Sequence, residues 1–123
     1  MTFNIKWDKR IVHVKFRGIV TAQDLIDSNN YLISNANFEK IHNQIFDFLD
    51  ITGFQITKED IQTIGTMDKA QAEWNKSMKV AIITKDDSVR KITREYEKIL
   101  RGSGWVTRIF ENPETAENWM KSE

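Results

Sequence analysis

The chain has 123 residues, 40% of them apolar and 29% charged, which is enough hydrophobic material for one core and too little length for two of ordinary size. Its 18 basic and 18 acidic side chains cancel, so no global field draws it to nucleic acid or anionic lipid. Cysteine is absent, which excludes disulfides, thiolate metal sites, iron–sulfur clusters and a cysteine nucleophile. The amino-terminal stretch Met1 to Asp8 lacks the apolar run of a signal peptide, and no apolar stretch reaches membrane-spanning length. The expectation is a single cytoplasmic α/β domain over residues 1–123, with no nucleic-acid partner.

Phe3 to Trp7 alternates apolar and polar residues, Asp8-Lys9-Arg10 supplies a turn, and Ile11 to Phe16 alternates again, so the chain opens with a β-hairpin. Thr21, three residues before Asp24, forms a capping box that starts a helix with Ala22, Leu25, Ile26, Asn29 and Leu32 inward and Asn35 near its end. Gln44 to Leu49 reads as a strand buried on both faces. A loop over Ile51 to Ile56 follows, and Thr57, three residues before Asp60, opens a second helix that runs to about Asn75. Met78 to Thr84 is the next buried strand. Asp86-Asp87-Ser88 then begins a third helix with the stripe Val89, Ile92, Tyr96, Ile99 and Leu100, and Gly102 suits its left-handed end. Trp105 to Phe110 is the last strand, and Asn112-Pro113 caps a final helix to Met120. The order predicts a mixed, mostly parallel sheet with about four helices, joined by right-handed crossovers.

This order, with Phe16-Arg17-Gly18-Ile19-Val20-Thr21, Phe46-Asp47-Phe48-Leu49-Asp50 and Gly102-Ser103-Gly104-Trp105, resembles the SpoIIAA-like family of the STAS superfamily, the fold of bacterial anti-sigma-factor antagonists. The resemblance covers nearly the whole chain and implies a regulatory protein partner. It also implies comparison with CRAL-TRIO lipid-binding domains, hence a ligand or membrane-surface role. The antagonists carry an Asp-Ser-Ser-Gly-like motif at the start of the second helix, where a partner kinase phosphorylates a serine. Here the stretch is Gly53-Phe54-Gln55-Ile56-Thr57-Lys58-Glu59-Asp60, so the motif is absent and Thr57 offers the one hydroxyl near the matching place. A phosphate there would gain from the helix terminus and be repelled by Glu59 and Asp60.

His13 and His42, the two histidines, stand in unlike settings without metal-ligand spacing, and Gly102-Ser103-Gly104 follows a helix instead of opening one. No catalytic constellation, metal site or cofactor is read from the sequence. Asp47 and Asp50 lack the further oxygen ligands that a cation site needs. On the second helix, Ile61, Ile64, Gly65, Asp68 and Ala72 share one stripe, which places an acid among small and apolar residues, while Met67, Ala70 and Trp74 share another. The third helix carries the basic row Arg90, Arg94, Lys98 and Arg101. Met67, Trp74, Tyr96, Arg94 and Lys98 are therefore the candidate ligand-binding residues of a non-enzymatic module. Its expected ligand is a lipid or other apolar or amphiphilic molecule, or a membrane surface to which the domain is peripheral. The alternatives for the Met67 and Trp74 face are packing within the domain, a protein partner and a second copy of the chain in a homodimer.

Overall fold

The structure, a computed structural model, describes residues 2–122. Strands β1 (Phe3–Asp8) and β2 (Ile11–Thr21) form the antiparallel hairpin, followed by α1 (Ala22–Ser34) and a 3-10 turn over Ala36–Lys40. Three further strands, β3 (Asn43–Gln55), β4 (Met78–Ile83) and β5 (Trp105–Phe110), alternate with α2 (Lys58–Gln71), α3 (Asp87–Leu100) and α4 (Pro113–Lys121). The sheet order is β1-β2-β3-β4-β5, with the pairs from β2 onward parallel. Each of the three parallel pairs requires a crossover connection, and α1, α2 and α3 supply them.

Capping chemistry sets the helix starts. Thr21 and Thr57 each accept a backbone N–H from the aspartate three residues on, and each aspartate accepts the threonine's N–H in return. Asp86 accepts from Ser88 and Val89, and Asn112 accepts from Thr115 beside Pro113. The loop expected over Ile51 to Ile56 is strand as far as Gln55. There β3 pairs with Gly18 to Thr21, the register shifting between Lys15 and Arg17 and again between Gly18 and Ile19 with the extra residue in β3, and the Ile19 side chain lies over Gly53. A glycine and a threonine read locally as a loop are held as strand by this long pairing partner.

Alternation along the strands divides the apolar residues between two faces. Val12, Val14, Phe16, Phe48, Val80 and Ile82 meet α1, α2 and α3 in the main core. Ile45, Ala81 and Ile83 meet Ala116 and Met120 of α4 on the opposite face. Helix α4 covers only part of that face, leaving a polar groove beside β1 and β2. The first stripe of α2, from Ile61 to Ala72, is buried, and Gly65 allows α2 to lie against Ile99 of α3. Gly104 (φ +92°) fits where an added Cβ would collide with the Lys76 carbonyl oxygen, so the turn into β5 needs a residue without a side chain.

Candidate functional site

The inward positions of three helices bring Asn29, Asp68 and Tyr96 together beneath the helical layer. Asn29 Nδ2 donates to Asp68 Oδ1 at 2.7 Å, and the Tyr96 hydroxyl donates to Asp68 Oδ2 at 2.6 Å. Asp68 and Tyr96 are each 6% exposed. Burial raises the Asp68 carboxyl to about 6, against the two hydrogen bonds that favour its ionised form. Tyr96 is pushed well above its ordinary value by burial and by the neighbouring carboxylate.

This cluster lines a partly open cavity of about 70 Å³ between the helices and the sheet. Its remaining walls are largely apolar, with Phe46, Phe48 and Phe54 from β3, Ile64 from α2, Ile82 from β4 and Ile92 from α3. A buried acid with a raised pKa at the edge of an apolar space marks a candidate site on physical grounds. The inward stripes of Asn29 and Asp68 are legible in the sequence. The meeting of Asn29 with Asp68, 39 residues apart, and of Asp68 with Tyr96, 28 residues apart, is a product of the fold.

The residues singled out from the sequence are dispersed. Tyr96 lines the cavity. Met67 is half-buried and outside the cavity lining. Trp74 lies in the turn after α2 and is 86% exposed. Arg94 and Lys98 are exposed on α3, Lys98 in an ion pair with Glu95 at 3.3 Å. Thr57 is the exposed N-cap of α2, its hydroxyl oxygen accepting from the Asp60 N–H at 3.1 Å. Asp47 and Asp50 are bridged by Lys15 at 3.3 and 3.1 Å. Among the described residues no group of three or more His, Asp or Glu side chains is placed to hold a metal ion, and no helix is long and apolar enough to cross a membrane.

The groove on the other face of the sheet is larger, about 400 Å³, and is lined by Lys6, Asp8, His13, Lys15, Asp47 and Glu117 among others. Its charges are mixed, and Lys15 is already engaged by Asp47 and Asp50. The cavity beneath the helices therefore has the more defined chemistry.

No family model and no curated protein matches the chain. Solved structures similar to it include two that align over nearly their whole lengths. One is an uncharacterized protein of the DUF3478 family with a SpoIIAA-like fold from Shewanella loihica PV-4, with 20% identity, a TM-score of 0.60, and coverage of 95% of this chain and 90% of that one. The other is the anti-sigma factor antagonist SpoIIAA in its unphosphorylated form, with 10% identity, a TM-score of 0.64, and coverage of 98% and 99%. With its five-stranded mixed sheet and four helices, the chain has the SpoIIAA-like fold.

Proposed function

We propose that the chain is a non-enzymatic binding domain that admits a small apolar or amphiphilic molecule between its three-helix layer and its sheet. The observation that carries this reading is the apolar cavity walled by phenylalanine and isoleucine and holding a single buried carboxyl. At about 70 Å³ the space is smaller than the roughly 150 Å³ cavity that takes up benzene. It therefore suits a few heavy atoms, or the end of a longer molecule that projects through the open side. Trp74, Arg94 and Lys98 enter this reading as surface groups, an exposed indole and two exposed cations suited to a headgroup or a membrane surface.

The test is a methyl-resolved NMR titration with n-butanol on the parent and on Thr93→Leu, which adds bulk at the cavity wall. Saturable shifts at Ile64, Ile82 and Ile92 that vanish in the variant support the reading. Shifts confined to methyls outside the cavity, such as that of Met67, overturn it, as does the absence of any cavity shift with n-butanol and n-butylamine alike.

A second reading, a regulatory protein-interaction domain, is favoured by the exposed Thr57 at the start of α2 and by the likeness to an anti-sigma factor antagonist. It is tested by recovery of a protein partner that Thr57→Asp releases and Thr57→Ser retains.

A further inference from the structure

We propose that the molecule taken up by this cavity is a small ammonium compound with an apolar body, whose N–H groups donate to Asp68. This rests on the reading of the cavity as a binding site and assigns the chemistry of its occupant. Asp68 has two hydrogen-bond partners, the amide of Asn29 and the phenol of Tyr96, and both are neutral. None of the ion pairs among the described residues reaches it. Buried carboxylates are ordinarily paired with a cation, and here the described residues supply none.

Accepting capacity remains for an incoming donor. An ionised carboxylate offers about four acceptor sites, and each Asp68 oxygen uses one. The surrounding walls narrow the class. A carboxylate or phosphate ligand would be repelled by Asp68, and a polyol would strand its hydroxyls against Phe46, Phe48, Ile82 and Ile92. Phenylalanine faces attract an ammonium in preference to a neutral group of the same size. An alkylammonium satisfies both parts of the lining, with its charge on Asp68 and its carbons on the apolar wall.

Binding to Asp68 carries a pH dependence of definite sign. The carboxyl must be ionised to hold an ammonium, and burial pushes Asp68 up to about 6. Affinity should therefore rise as pH increases from about 5 to about 7. Of the groups that face Asp68 across the cavity, Asn29 and Ser28 of α1 and Thr93 of α3 are uncharged. Val80 and Ile82 of β4 and the β3 phenylalanines are apolar, and Tyr96 titrates far higher.

The experiment compares n-butylamine, n-butanol and butyrate, three probes of nearly equal size, by NMR titration of the full chain at about pH 7 and about pH 5. The expected result is that n-butylamine shifts Asn29, Asp68 and Tyr96 and binds roughly tenfold or more tightly than n-butanol. Its advantage should shrink at the lower pH and disappear in Asp68→Asn, while butyrate binds least. Equal binding of amine and alcohol in the cavity would overturn the ammonium assignment and leave the cavity reading standing. No saturable shift at cavity residues with any probe would overturn both. Should Asp68→Asn fail to fold, the three-probe comparison in the parent decides alone.

Discussion

At the scale of single residues, Asp68 dominates the behaviour of the domain. Burial pushes its folded-state carboxyl up to about 6, from the ordinary aspartate value of 3.8, so folding favours the protonated form. The contribution to stability is full below about pH 4, is lost as pH rises through about 6, and levels off above that, a fall of roughly 3 kcal/mol. Denaturant titrations across this range should show the decline in the parent and a flattened profile in Asp68→Asn. An unchanged slope in the variant would assign the dependence to another group. Tyr96→Phe removes the donor to Asp68 Oδ2 and should cost about 1 to 3 kcal/mol, measured in the same titration. The sequence marks Asn29 and Asp68 as inward polar residues, because helical periodicity is local. It does not show that Asn29 meets the Asp68 side chain, since a pair 39 residues apart is decided by how two helices cross.

At the scale of elements, boundaries set by side-chain chemistry are the most legible. The threonine–aspartate capping boxes, Asp86 and Asn112-Pro113 mark their helices correctly, because a cap is complete within four residues. The extension of β3 to Gln55 is hidden, since it depends on register with β2. Helices α2 and α3 approach closely at Gly65. A Cβ on Gly65 would lie 2.9 Å from Ile99 Cδ1 and 3.0 Å from Cγ2. Gly65→Ala should therefore destabilise the domain, although alanine in a helix ordinarily gains about 1 kcal/mol over glycine. The double variant with Ile99→Ala should cost less than the two single changes together, a coupling that a double-mutant cycle reads directly. Trp119 of α4 is half-buried, its ring 5.6 Å from Phe110 with Lys79 and Arg108 over it. Trp119→Ala should lower stability by about 2 kcal/mol by thermal melt, below the 3 to 5 of a fully buried ring.

At the scale of the whole molecule, one helical layer over one face of the sheet creates the cavity, and the partial cover of the other face leaves the polar groove. The alternation of strands and helices is readable along the chain, but the order β1-β2-β3-β4-β5 is not, because adjacency in a sheet is a long-range property. Trp74 is peripheral to the fold: Trp74→Ala should change stability by less than about 0.5 kcal/mol, as denaturant unfolding would show. Whether the space beneath α1, α2 and α3 admits a small apolar body can be read by X-ray diffraction from a crystal equilibrated with pressurised xenon, which enters dry apolar cavities. Xenon should be found among Ile64, Ile82 and Ile92; a crystal with no xenon in that space would show that it admits no apolar body.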